Sequence, residues 1–152
     1  GASDPKDVPE AIQTIRELIG QVPIFRICLE HQLIALASGA DTSKMKFGHR
    51  GINQPVKDLD TGRTYITSQN HGYAVNLHSL EQTELRLSQV SLNDNSVEGL
   101  KHKNHPVFSV QYHPESSPGP EDTAHLFDEF LKMIDHHQKT TKEDSQCLSV
   151  QI

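Results

Sequence analysis

Apolar residues recur at helical spacing in the opening stretch of the chain. Between Asp7 and Gly20 (DVPEAIQTIRELIG), Ile12, Ile15, Leu18 and Ile19 fall on one stripe, Asp7 stands in capping position, Pro9 lies in the first turn and Gly20 closes the segment. This pattern predicts an amphipathic helix. VPIFRICL is a short apolar run of strand length, residues 22 to 28 at its centre, and HQLIALASGA returns to helical spacing before closing on Gly39. Helix, strand, helix is the order from which α/β sheets are built.

From Lys44 the texture changes. KMKFGHRG, RTYITSQNHGYAV, ELRLSQVSLND, VEGLKHK and VFSVQYHP alternate in character and are separated by turn residues such as Asp60-Thr61-Gly62 and Asn93-Asp94-Asn95, which predicts strands and hairpins. Asp122 to Ile134 then places Leu126, Phe127, Phe130, Leu131 and Ile134 on one stripe after the turn SSPGPED, predicting a closing helix. DHHQKTTKEDSQCLSVQI is polar and without clear periodicity, so residues 1–137 read as a partial domain and 138–152 as a mobile tail. The strand at 22–28 lacks an evident parallel partner upstream, and the chain opens abruptly in GASDP, so the expectation is a domain truncated at its N-terminus.

With 152 residues, one core is expected. Fourteen Lys plus Arg against twenty Asp plus Glu gives −6 with no dense basic stretch, arguing against nucleic acid or an anionic membrane as partner. The most apolar stretch, Leu33 to Ala37, is far short of the roughly 20 residues a membrane span needs, and the N-terminus lacks a signal layout; a soluble, intracellular protein is expected. Two cysteines cannot make a dense disulfide framework, and with no C-x-x-C pair and no recommending histidine spacing, no metal site is expected.

Cys28 stands where an apolar strand ends and a helix begins, a position that lifts a nucleophile to the sheet's carboxyl edge near helix-terminal N–H groups. His113 and Glu115 in QYHPE offer an imidazole to accept the thiol proton and a carboxylate to orient it. A cysteine ending an apolar strand is by itself more often a small core residue. His102 and His105 in a turn, and His136 and His137 near the tail, read as solvated. Asn70, His71 and Gly72 read as turn chemistry that also presents amide and backbone donors.

Together, PIFRICLEHQLIALASGA, KMKFGHRGINQPV, ITSQNHGYAV, NDNSVEGLKHK and VFSVQYHPESSPGPEDTAHLFDEFL closely resemble the glutamine amidotransferase domain of the carbamoyl phosphate synthetase small subunit, from about Gly1 to Ile134. The resemblance implies a class I amidotransferase fold, a flavodoxin-like open α/β sheet with flanking helices and additional hairpins, of which the chain holds about the second half. It implies a glutaminase in which Cys28 attacks the side-chain amide, His113 serves as base and then acid, and Glu115 holds the imidazole. Glutamine contacts fall by resemblance on Leu29, Gln32, Asn70, Gly72 and Tyr73, with Gly1 and Ser3 giving backbone donors to substrate and oxyanion. The resemblance also implies, as partner, a large synthetase subunit in the cytoplasm that receives the ammonia. ATP and Mg would belong to that subunit, and no cofactor to this chain.

Three departures surround the nucleophile. The family reads Gly-Ile-Cys-Leu-Gly-His-Gln, whereas this chain has Arg26 and Glu30 in place of the two glycines; Ser3 stands where the family's loop has its second glycine. Arg26 and Glu30, four apart and opposite in charge, can pair, but strain in a tight turn is expected to outweigh an exposed ion pair. The alternative reading is therefore an inactive homologue acting as a subunit-binding module.

Overall fold

A computed structural model describes residues 4–114 and 120–150, with side chains for 4–51, 53–114 and 124–139. A short 3-10 helix at Pro5–Asp7 leads into α1 (Pro9–Leu18), β1 (Ile24–Ile27), α2 (Leu29–Ala37), β2 (Thr42–Asp58), β3 (Thr64–Val75), β4 (Leu85–Ser91), β5 (Val97–His102), β6 (Val107–Val110) and α3 (Pro120–Val150). The six strands form one mixed sheet in the order β1-β6-β5-β4-β2-β3. Among the described residues only β1 and β6 run parallel; every other pair is antiparallel.

Alternation along β1 and β6 sorts side chains to two faces. Ile24 and Val107 join Ile15, Leu33, Ile34, Val97 and Leu100 in the core under α1 and α2. Phe108, Val110 and Leu126 form a second core with Phe25, Ile27 and Phe130 under α3. Phe25 meets Phe108 edge-on at 5.4 Å between centroids and lies 5.6 Å from Phe130, so aromatic contact reinforces area burial where α3 seats. The result is three layers, with helices covering both faces of the parallel pair.

Five sequence expectations are corrected. The strand partner missing upstream lies downstream, because β6 pairs with β1 from Ile24↔Val107 to Ile27↔Val110. β1 itself is confined to Ile24–Ile27. Asp7 does not cap α1, whose N-cap position holds Val8 without a side-chain bond; Asp4 instead caps the 3-10 turn by accepting from the Lys6 amide at 2.9 Å. Asn70, His71 and Gly72 are not a turn but the interior of β3, paired with β2 at Arg50↔Asn70 and His49↔His71. The helix expected to end near Ile134 continues to Val150, as a stretch that holds no Gly or Pro to break it can. The turns at Asp60-Thr61-Gly62 and Asn93-Asp94-Asn95 are where the pattern put them, with Gly62 at φ 78° and Asn95 at φ 62°.

Candidate active site

Cys28 follows β1 directly and caps α2, with φ 53° and ψ −118°. This backbone conformation costs a residue with a Cβ on the order of 1–3 kcal/mol. It is held by the Cys28 amide donating to the Val110 carbonyl of β6 at 3.0 Å, and by the Cys28 carbonyl accepting from the amides of His31 (3.1 Å) and Gln32 (3.4 Å). Because Ile27 and Val110 are register partners, Cys28 one residue past β1 and His113 three residues past β6 emerge at the same carboxyl edge. His113 is half-buried, and its amide donates to the Ser68 carbonyl of β3 at 3.2 Å. Glu115, Gly1 and Ser3 lie outside the described residues.

The expectation that Arg26 and Glu30 would strain or splay this turn is overturned. Neither has positive φ, so what the positions demand is room, and there is room. A cavity of about 290 Å³ adjoins both residues together with Phe25, Ile27 and Phe127. Arg26 Nε donates to Glu30 Oε2 at 2.7 Å, with the side chains 47% and 54% exposed. At that distance the charges largely cancel, so the substitutions add a dipole beside Cys28 and little net charge. An exposed pair of this kind contributes no more than about 1 kcal/mol. The double substitution Arg26→Ala with Glu30→Ala, which adds no glycine to strand or helix, is expected to shift unfolding free energy by less than about 1 kcal/mol, readable from urea denaturation; a larger loss would show that the pair holds the turn.

The predicted glutamine contacts divide between two elements. Leu29 is exposed on the first turn of α2, while Gln32 is buried and donates from Nε2 to the Tyr73 carbonyl (2.9 Å) and to Gln111 Oε1 (2.8 Å). α2 is thereby tied to the β3 segment that carries Asn70, Gly72 and Tyr73. Tyr73's carbonyl lies also 2.8 Å from His71 Nδ1.

Sequence reasoning missed what lies behind that segment. His71 Nε2 is 2.7 Å from Gln69 Oε1, which is 3.0 Å from His49 Nδ1; His49 Nδ1 also meets Glu98 Oε1 at 3.1 Å, and its Nε2 meets Asp94 Oδ2 at 2.7 Å. Gln69, His71, His49 and Glu98 are all buried. Hydrogen bonds to the two carboxylates raise His49 to about 9 against burial. Burial lowers His71 to about 4 and, on α2, His31 to about 3, the latter bonded through Nδ1 to Ser109 Oγ at 2.7 Å. The network is therefore one buried charged imidazole beside neutral ones. Gly48 lets β2 close over it, since a Cβ there would lie 2.7 Å from the His71 carbonyl oxygen. The available signal was polar residues at the inward positions of alternating strands, His49, Gln69, His71 and Glu98.

Cysteine at a strained strand–helix junction, with a histidine at the adjoining carboxyl edge, is the arrangement of a Cys-nucleophile hydrolase on an α/β sheet. The chain belongs to the family Glutamine amidotransferase class-I, which it matches over residues 1–133. It is 69% identical over 134 residues to the carbamoyl phosphate synthase small chain of Oceanobacillus iheyensis, covering 88% of this chain and 37% of that protein. It is 60% identical over 139 residues to the carbamoyl phosphate synthase pyrimidine-specific small chain of Bacillus subtilis, covering 91% and 38%. The chain thus spans less than two fifths of the length of these relatives. In fold it is similar to a glutamine amidotransferase from Thermotoga maritima, with a TM-score of 0.63 at 17% identity, covering 91% of this chain and 62% of that one. Among the described residues no helix is long and apolar enough to cross a membrane.

Proposed function

We propose that the chain carries the glutaminase centre of a carbamoyl phosphate synthase small chain, hydrolysing glutamine to glutamate and ammonia for a large synthetase subunit in the cytoplasm, in pyrimidine and arginine synthesis. The observation that carries the reading is Cys28 at φ 53° on the junction of β1 and α2, sharing a carboxyl edge with His113. In the first step the Cys28 sulfur bonds to the glutamine side-chain carbonyl carbon while His113 takes the thiol proton. His113 returns that proton to the departing nitrogen, the C–N bond breaks, and ammonia leaves a thioester. Water, deprotonated by His113, then attacks the thioester carbon; the C–S bond breaks, His113 passes the proton to the Cys28 sulfur, and glutamate is released. Glu115 is assigned to hold the imidazole and Gly1 and Ser3 to supply oxyanion donors. The β3 segment with Asn70, Gly72 and Tyr73, together with Leu29 and Gln32, is assigned to grip glutamine. Glutamine hydrolysis itself draws on neither ATP nor Mg, which are assigned to the synthetase partner.

Mass spectrometry after exposure to a glutamine-like electrophile tests the reading. Stoichiometric labelling of Cys28, blocked by excess glutamine and absent at Cys147, is the expected result. Labelling that is absent, or equal at the two cysteines, would overturn it in favour of an inactive homologue serving as a subunit-binding module.

A further inference from the structure

Away from Cys28, the end of β2 meets α3, and there three side chains aim polar atoms into one small space. Asp58, His125 and Glu129 each place a ligand-type atom within 4.8 Å of those of the other two. Asp58 Oδ2, His125 Nε2 and Glu129 Oε2 are each buried without a hydrogen-bond partner, and Asp58 is 1% and Glu129 8% exposed. His125 and Glu129 stand four apart on α3 and so share a face; their atoms are 3.8 Å apart. The other carboxylate oxygens are already engaged. Asp58 Oδ1 accepts from the amides of Asp60 (2.8 Å) and Thr61 (3.2 Å), and Glu129 Oε1 accepts from Lys101 Nζ at 3.3 Å. Each carboxylate is thus anchored by one oxygen with the other turned inward.

We propose that Asp58, His125 and Glu129 form a binding site for a divalent transition-metal ion that pins α3 to the sheet. Leaving buried polar atoms unpaired is costly, and native structures rarely do so without an occupant. Protons on His125 Nε2 and between the carboxylates are the competing occupants, and a divalent cation serves all three atoms at once. Lys101 does not fill that role. Its ammonium lies 2.6 Å from Asp60 Oδ2 and contacts the outer oxygen of Glu129, leaving the two inward carboxylate oxygens to face the gap. One imidazole nitrogen with two carboxylate oxygens is a donor set for Mn²⁺, Fe²⁺ or Zn²⁺ rather than for Ca²⁺, which takes six to eight oxygens. Metal–ligand distances of about 2.0–2.2 Å put neighbouring ligand atoms about 3.4 Å apart, so the 3.8 Å pair needs to close by a few tenths of an ångström and Asp58, within 4.8 Å of both, has to draw in with them. This site is independent of the glutaminase reading, since it shares no residue with it.

Mn²⁺ is the probe of choice, because carboxylates favour it over the thiol of Cys28 and over the imidazole cluster of His102, His105 and His137, with ring centroids 4.8 and 6.1 Å apart. Chelator-treated chain titrated with Mn²⁺, with free ion followed by its electron paramagnetic resonance signal, is expected to bind one equivalent. Its thermal midpoint should rise with excess ion. His125→Gln, at a partly exposed helical position, and Asp58→Asn should each weaken binding at least 10-fold, while Cys28→Ser should leave it unchanged. Circular dichroism checks the folding of each variant, and if Asp58→Asn does not fold, His125→Gln decides. No stoichiometric binding, or binding undiminished in folded His125→Gln, would overturn the proposal.

Discussion

Cys28→Ser is expected to lower the rate of ammonia release from glutamine by about 10⁴-fold or more, because removing the nucleophile of a unit that acts together costs most of the chemical acceleration at once. The serine oxygen occupies the same junction but is a far weaker nucleophile at neutral pH, with no thiolate fraction to draw on. Folding should be unaffected, since the contacts that hold residue 28 are made by its backbone, from the amide to the Val110 carbonyl and from its carbonyl to the amides of His31 and Gln32. Glutamine affinity should survive as well, because the β3 segment is fixed by Gln32 and His71 rather than by the sulfur. The measurement is ammonia release alongside urea denaturation and glutamine binding by calorimetry. Activity retained within 10-fold in the serine variant would remove Cys28 from the mechanism.

The second large effect concerns the imidazole clamped by Glu98 and Asp94. In the native chain His49 is raised to about 9, above the ordinary histidine value of 6.5. Between those two values the native state holds a proton that the unfolded chain has lost, so stability falls as pH rises. The contribution is complete below about pH 6.5 and gone above about pH 9, and it amounts to about 1–3 kcal/mol, since the Asp94 side of the clamp is open to solvent. His31 and His71, lowered to about 3 and about 4 by burial, work in the opposite direction. Both are neutral when folded, so their contribution is present above about pH 6.5 and is lost as pH falls towards their native values. The combined contribution of the three histidines is therefore expected to peak near pH 6.5 and to decline on both sides, while the buried carboxyls of Glu98 and Glu129, both raised by desolvation, subtract from stability as pH rises above the ordinary carboxylate range. His49→Ala should cost about 3–5 kcal/mol at pH 6.5, since it leaves Glu98 buried without its cation, and should flatten the alkaline decline. A variant whose stability falls between pH 6.5 and 9 as steeply as the parent's would show that His49 is not the titrating group.

Much of the architecture was legible because burial on alternating strands and on one helical face imposes its period on the sequence. The strands from β2 to β6, the turns at Asp60-Thr61-Gly62 and Asn93-Asp94-Asn95, and the helices α1 and α2 are all marked by that period and by turn residues. Errors fell where local chemistry has two readings. Asn70-His71-Gly72 has the composition of a turn, yet cross-strand pairing to His49 and Arg50 keeps it extended. Asp7 has the side chain of a cap, yet Asp4 makes the capping bond one turn earlier. Arg26 and Glu30 read as strain because a sequence cannot show that their side chains leave the turn for the surface and pair there beside an open cavity.

By itself the sequence determined the α/β character, the candidate nucleophile Cys28 at a strand–helix junction and the candidate base His113, for these depend on local period and on the residue types that the chemistry requires. Only the tertiary structure decided that β1 takes its parallel partner from β6, about eighty residues downstream, since strand pairing across such a distance leaves no periodic trace. It alone brought His49 from β2, Gln69 and His71 from β3 and Glu98 from β5 into one buried network, and turned Asp58, His125 and Glu129 towards a common point. Each of those residues is an ordinary polar position in one dimension. Its meaning comes from exclusion of water, which makes every buried polar atom find a partner that only three-dimensional packing supplies.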